Sequence, residues 1–489
     1  MRYNLAMRHR LSAALVVLFV LTSQSARAAE PLPLKNADFA AWKDGTPEAW
    51  AVGIGARSGN DTPSRLQMIA EGGVELGGDA ATAQWRVLTQ RVPVTAGEGL
   101  RLTFEARTAD LKRERNQYDN CYVGLNVLDA AGMRVAFVFR NLFETAWAPG
   151  QLAVKLPDSA AAAEVLIFLS KSGTLGVRNL KLEKLAASDS FDCLVGELDR
   201  YYSFFELKKF DWKKRAAEYA AKGRGAKTAE EFVAAVQPLL AELKDLQVVI
   251  LDASNQQTAT FVSASTRNFD ARTIAGALTD IKQVGRMGLT ARTAEGYGYI
   301  AIGTLAADEK TTADLLAAFD ALLDAKGLII DIRVNGGGAE TVAQQFVSRL
   351  IDQPLLYAKN RFRCGPAYGD LVTLVTRQVT PHSDKPFRGP VVGLIGPGCV
   401  SSGEGMALML KALPQAKLIG QPTRGASGNP QPVALPNGVT VRYSTWVPLG
   451  LDDQPFEGVG IAPAMTIGDD PTGMKGLAAA IADLDARRK

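Results

Sequence analysis

Leu328-Ile329-Ile330-Asp331-Ile332-Arg333-Val334-Asn335-Gly336-Gly337-Gly338 reads as a buried strand running straight into three glycines. Glycines after a strand let backbone N–H groups approach a ligand closely, which suits an oxyanion hole or an anion nest. A second apolar strand, Val391 to Ile395, runs into Gly396-Pro397-Gly398-Cys399-Val400-Ser401-Ser402-Gly403-Glu404 and then a helix ending near Leu413. A serine on such a turn is aimed at a helix N-terminus, whose N–H groups and dipole favour a developing oxyanion. Around these two turns strands and helices alternate: Tyr299 to Ile302, a helix opened by Thr311, and a helix from about Ala339 to Leu350. Alternation of this kind predicts a largely parallel sheet covered by helices, assigned to residues 245–470, with 471–489 as a C-terminal helix or tail.

Upstream the periodicity changes. Phe191, Leu194, Val195, Leu198, Tyr201, Tyr202 and Phe205 recur at three and four, and Thr228-Ala229-Glu230-Glu231 is a capping box before Phe232, Val233, Val236 and Leu239, so 188–243 reads as a helical subdomain. From 30 to 186 the text alternates with period two, as in Leu100 to Ala106 and Val177 to Leu185, with Gly97, Gly132, Gly150 and Gly173 at turns. Many short strands of this kind predict an antiparallel β-sandwich. Residues 1–28 carry Arg2, Arg8 and Arg10, an apolar run from Leu11 to Leu21 and Ala26-Arg27-Ala28, the pattern of an export leader. The run is too short for a bilayer of about 30 Å, which needs about 20 residues. The expectation is therefore a secreted chain, in the bacterial periplasm, with no transmembrane anchor after processing.

The 489 residues are 47% hydrophobic and 22% charged, which excludes disorder, collagen and a disulfide mini-scaffold. Loss of the leader removes four of 55 Lys+Arg and no acid, leaving the basic count equal to the 51 acidic residues. A net charge near zero argues against nucleic acid or an anionic membrane as partner. Cys121, Cys193, Cys364 and Cys399 lie at neither metal-finger nor CxxC spacing, and stand as buried thiols or as one disulfide. Only His9, in the leader, and His382 are histidines, so the commonest base and metal ligand is nearly absent. No metal and no cofactor is expected.

The two glycine turns, in this order, resemble the tail-specific or C-terminal-processing protease family, whose pattern sets Asp-Leu-Arg-x-Asn-x-Gly-Gly on one strand end and a nucleophilic Ser three residues before a Glu on the next. Gly420-Gln421-Pro422-Thr423-Arg424-Gly425-Ala426-Ser427-Gly428-Asn429-Pro430 and Phe456-Glu457-Gly458-Val459-Gly460-Ile461-Ala462-Pro463 also look like family signatures, as does Tyr201 through Trp212. The resemblance covers about 188–467. It implies a crotonase-like α/β serine peptidase domain acting on peptide or unfolded protein through an acyl-enzyme on Ser401, with Gly337 and the Ser402 N–H as oxyanion hole. The Ser-Lys branch of the family would place lysine at Ala426. The tricorn-like Ser-His-Glu branch fits better, since Glu457 fills its Glu-Gly-x-Gly stretch.

That branch places its histidine in Leu-x-Asp-x-His, here Leu243-Lys244-Asp245-Leu246-Gln247. Gln247 occupies the base position, and an amide has no nitrogen basic enough to take the serine proton. The alternative function is thus a catalytically inactive pseudopeptidase that binds peptide or cell-envelope glycan. His382 precedes the strand that Ser401 follows, and a five-residue strand spans roughly 16 Å. About fifty residues between Ile250 and Ile300 leave no room for a PDZ module. The sandwich weakly resembles galactose-binding-like jelly rolls, which implies a glycan contact through Trp42, Trp50, Trp85 or Trp147.

Overall fold

The computed structural model describes residues 30–55, 65–78, 85–111, 121–170, 172–252, 254–383 and 385–487. The leader-like pattern of residues 1–28, with His9, lies outside the described residues.

Two antiparallel sheets form the N-terminal part. One orders Ala148–Lys155, Gly99–Ala109, Gly173–Leu185, Val74–Gly78 and Arg65–Met68, with Glu30–Leu32 also on Gly173–Leu185; the other orders Arg134–Asn141, Cys121–Leu128, Ala162–Ser170, Trp85–Pro93 and Ala51–Gly55. The period-two reading is realised side chain by side chain. Leu100, Leu102, Phe104 and Ala106 of one sheet and Ala163, Val165, Ile167 and Leu169 of the other are buried in one shared core. Of the cysteines, Cys121 donates its Sγ hydrogen to the Leu142 carbonyl at 3.4 Å, and Cys193, Cys364 and Cys399 are free thiols.

The helices Ser190–Tyr201, Trp212–Gly225 and Ala229–Ala241 follow. Thr228 caps the third, accepting from the Glu231 N–H at 3.2 Å, while the Glu231 carboxylate accepts from the Lys227 N–H rather than from Thr228 itself. The predicted helical subdomain has no core of its own. Phe191, Trp212, Phe232 and Leu239 are buried together with Ile250, Val433, Val441 and Tyr443, because the small sheet of Gln257–Ala259, Val249–Leu251, Thr440–Ser444 and Pro430–Ala434 supplies the opposite apolar face. Contacts this distant in sequence leave no trace in local periodicity.

The α/β core is a seven-stranded sheet ordered Leu278–Val284, Gly288–Thr293, Gly298–Ile302, Leu328–Asp331, Val391–Ile395, Ala416–Gly420 and Met465–Thr466, antiparallel up to Gly298–Ile302 and parallel beyond it. Every residue of Leu328–Asp331 and Val391–Ile395 is buried, as expected for strands covered on both faces. Glu309–Asp320, Glu340–Val347 and Ser402–Ala412 contribute to the core on one face. The C-terminal Met474–Arg487 is not a tail: Leu477, Ala480 and Leu484 are buried with Val392, Leu394 and Ile419 on the other face.

Parallel pairing places Asp331 beside Leu394 and Ile395 beside Gly420. The turns at 332–339, 396–401 and 421–428 therefore leave one edge of the sheet together, at the carboxyl ends of its strands, where α/β sheets hold their ligands.

Candidate active site

The first turn is fixed from below. Arg333, 1% exposed, donates from Nε to Asp331 Oδ1 at 3.0 Å and from Nη1 to the carbonyls of Asn268 (3.1 Å) and Gly473 (2.8 Å), and Tyr299 donates its hydroxyl to Asp331 Oδ2 at 2.7 Å. A buried ion pair is tolerable only with its remaining polar atoms satisfied, and here they are. Asn335, fully buried, donates from Nδ2 to the Ile302 carbonyl at 3.0 Å, and its own carbonyl accepts from the Val400 N–H at 2.9 Å. That last bond ties the two glycine turns together.

Gly337 has φ +87°. A Cβ there would lie 2.9 Å from Ser401 Cβ and 3.0 Å from the Val400 carbonyl oxygen, so glycine is what allows the turns to touch. The expected oxyanion role differs in one respect. The Gly337 N–H already donates to Asn335 Oδ1 at 2.9 Å, because the buried amide needs a donor for its oxygen.

Ser401 is the N-cap residue of Ser402–Ala412 with φ 56° and ψ −123°, a region costly to a residue with a side chain, about 1–3 kcal/mol. Its hydroxyl makes no capping bond, so the turn does not consume it. The neighbouring Ser402 hydroxyl instead donates to the Gly338 carbonyl at 2.6 Å. A strained serine between a strand and a helix, its hydroxyl uncommitted, is the geometry of a nucleophile elbow.

Glu404, fully buried, is the hub of the 423–427 segment. It accepts from Thr423 Oγ1 (2.6 Å), the Gly425 N–H (2.6 Å), the Ala426 N–H (2.9 Å) and Ser427 Oγ (2.6 Å). Burial raises its carboxyl above the usual range, and these four donors pull it partly back. Sequence reasoning used Glu404 only as a spacing mark; its signal was the Ser-x-x-Glu interval itself.

The segment Glu404 holds reaches Ser401 directly. The Ser401 N–H donates to the Ala426 carbonyl at 3.0 Å, and Ser427 Oγ, its proton given to Glu404, lies 3.2 Å from the Ser401 carbonyl oxygen. Gln247 grips the same segment: its Nε2 donates to the Ala426 carbonyl at 2.9 Å and its Oε1 accepts from the Gly428 N–H at 2.6 Å. Gln247 thus sits beside Ser401 with both amide atoms committed to backbone. Ala426, at the position of the Ser-Lys branch lysine, is fully buried.

Glu457 does not bond Gln247. Its Oε1 accepts from Lys208 Nζ at 3.3 Å, and its Oε2 is buried without a partner. Burial first, then the neighbouring Asp245, push its carboxyl well above the usual carboxylate range. Asp245 is itself buried, accepting from the Gln247 N–H at 2.8 Å and from the Tyr202 hydroxyl at 3.1 Å. Lys208 also donates to the carbonyls of Leu243 (3.0 Å) and Lys244 (2.9 Å). Asp245 entered the sequence reading only as a motif letter and Lys208 not at all, since their contacts with Glu457 depend on a helix end folding against a distant loop.

Two rival groups are set aside by position. His382 is exposed, its N–H bonded to the Ser348 carbonyl, on the side of the sheet where Val391–Ile395 begins. Cys399 is fully buried, and burial pushes its thiol well above its ordinary value, the reverse of a reactive cysteine.

The arrangement is thus a strained serine at a helix N-terminus, beside a glycine turn and next to the segment that buried Glu404 holds. Residues 296–467 match the model of peptidase family S41, a span that takes in Ser401, Glu404 and Glu457 but not Gln247. Among solved structures, a peptidase candidate from Parabacteroides merdae is 26% identical, covering 61% of this chain and 97% of that one with a TM-score of 0.53. A lipoprotein from Streptococcus agalactiae (15% identity, 62% and 97% coverage, TM-score 0.44) and a photosystem II D1 C-terminal processing protease (15%, 60% and 97%, 0.39) are more distant. No curated protein matches the chain. The family match thus spans about a third of the chain, residues 296–467, and supports the resemblance to the tail-specific proteases there.

Proposed function

We propose that this domain is a catalytically inactive pseudopeptidase that binds an extended peptide or unfolded protein across the 332–339 and 396–402 turns and presents Ser401 to a peptide carbonyl without a base to complete hydrolysis. The observation that carries this reading is the Gln247 amide, which holds the base position and spends both polar atoms on Ala426 and Gly428. Acylation needs an acceptor for the serine proton, and Gln247 offers none. A positioned general base contributes about 10²–10⁴-fold, and that factor is what the glutamine removes. The Ser402 N–H, at the first turn of its helix, remains to polarise a bound carbonyl. The Gly337 N–H would join it only by leaving Asn335.

A second reading, a slow serine-type peptidase working through an acyl-enzyme on Ser401, is favoured by the strained Ser401 backbone and its uncommitted hydroxyl. Incubation with a fluorophosphonate probe and unfolded casein, with Ser401→Ala as control, separates the two. Labelling and cleavage abolished by the substitution support slow turnover, whereas peptide binding without either supports the inactive reading.

The leader-like pattern of residues 1–28 supports export to a bacterial periplasm. A galactose-binding-like role for the sandwich in contacting envelope glycan is best supported at Trp85, 38% exposed and stacked on Phe168 at 5.9 Å. The other tryptophans are engaged: Trp50 is buried, Trp42 donates to the Phe39 carbonyl, and Trp147 lies against the guanidinium groups of Arg107 and Arg178.

A further inference from the structure

A half-open cavity of about 80 Å³ lies where the sandwich meets the peptidase domain. Phe139, Phe143, Tyr201 and Phe362 give it aromatic walls, with Phe143 and Phe362 stacked at 4.4 Å, and Arg140 and Arg363 also line it. The charges around it do not balance. Arg200 pairs with Glu144 and Arg140 with Glu197, but Arg363, only 5% exposed, has no carboxylate partner among the described residues. The acids near it are engaged elsewhere: Asp199 with the Tyr368 hydroxyl and Lys213, and Asp370 with the Ala367 N–H. Its terminal nitrogens donate only to backbone carbonyls, those of Asp199, Tyr202, Gly365 and Pro366, at 3.3 to 3.4 Å.

An unpaired buried cation is among the most costly arrangements in a protein interior. Three cavity-lining residues also carry buried polar atoms without a hydrogen-bond partner: Arg363 Nε, Arg140 Nε and Asn141 Oδ1. Burial and the nearby Arg200 lower the Arg363 guanidinium below its ordinary value, the direction expected of a cation that lacks its counter-ion.

We propose that this cavity is a binding site for a small aryl carboxylate, whose anion meets the free Nε–H donors of Arg363 and Arg140 and whose ring lies among the aromatic walls. One free donor per guanidinium suits a singly charged carboxylate rather than a phosphate dianion, which needs more donors and would face the lining Glu144. The partnerless Asn141 oxygen accepts from a hydroxyl on the ligand. The cavity is continuous with the catalytic segment: it is lined also by Asn429 and Thr445, and the Thr445 N–H donates at 2.8 Å to the carbonyl of Gly428, the residue Gln247 grips. The inference is independent of whether Ser401 turns over.

Isothermal titration of the full chain with para-hydroxyphenylacetate tests it, beside the neutral para-hydroxyphenylacetamide and inorganic phosphate. Saturable binding of the carboxylate is expected, with the amide and phosphate each weaker by at least about 10-fold. Arg363→Gln should weaken the carboxylate by at least about 10-fold. Gln431→Phe, which narrows the cavity without touching either arginine, should do the same, and it decides the matter if the arginine variant does not fold. No binding, equal binding of the amide or phosphate, or unchanged affinity in Gln431→Phe would overturn the proposal.

Discussion

Gln247 and Ser401 hydrogen-bond the same atom. The Ala426 carbonyl oxygen accepts from Gln247 Nε2 at 2.9 Å and from the Ser401 N–H at 3.0 Å, so the two donor nitrogens lie no further apart than those bonds allow. Gln247 is therefore a structural clamp on the segment that holds the Ser401 backbone.

Gln247→Ala removes both bonds to the 426–428 segment and leaves the Gly428 N–H without its acceptor. Chemical denaturation should show a loss of about 1–3 kcal/mol. A loss below experimental error would mean that the clamp contributes nothing.

Glu404→Gln sets an amide NH2 against donors, since all four Glu404 partners donate to it. Bonds to a charged acceptor contribute about 1.5–3 kcal/mol each, so a loss of at least about 2 kcal/mol is expected, together with weaker peptide binding as the 423–427 segment loosens. Unchanged thermal unfolding and unchanged peptide affinity would contradict the hub role.

Gly337→Ala meets both a positive φ and a 2.9 Å approach to Ser401 Cβ. Backbone strain of about 1–3 kcal/mol is expected, with peptide affinity falling because the two turns must separate. The control is Gly336→Ala, where a Cβ meets nothing within 4 Å. Equal effects of the two substitutions would remove the close approach as the cause.

Glu457 gives the chain a pH signature. Its carboxyl is raised in the folded state, chiefly by burial and then by Asp245, so the folded chain binds the proton more tightly than the unfolded one. The stability this contributes is complete below the unfolded value of about 4.3 and is lost as pH rises through the folded value. Glu457→Gln should match or exceed the parent in stability at pH 7 to 8, with the gap closing or reversing toward pH 4. Unfolding midpoints across that range check it, and a parent stability that rises steadily relative to the variant with pH would contradict the sign.

The α/β core and the two glycine turns were legible because their signals are local: Leu328–Asp331 and Val391–Ile395 are continuous apolar runs, and the turns follow them directly. Ser401 and Gln247 were legible through ordered motifs, and the structure brings both to Ala426. What local pattern did not show was set by long-range partners. Asn335 takes the Gly337 N–H, Lys208 takes Glu457, and the strands at 430–449 complete the core of the helices at 190–241. Each depends on which surfaces meet, which no window of sequence contains.

The central claim is that the lack of a base at Gln247 is what limits hydrolysis at Ser401. The most direct test is kcat/KM for an unfolded peptide in the parent, Gln247→His, and Gln247→His with Ser401→Ala. The account predicts a gain of about 10²-fold or more in Gln247→His, abolished when Ser401 is also replaced. A parent already hydrolysing at the rate of Gln247→His, through Ser401, would contradict it.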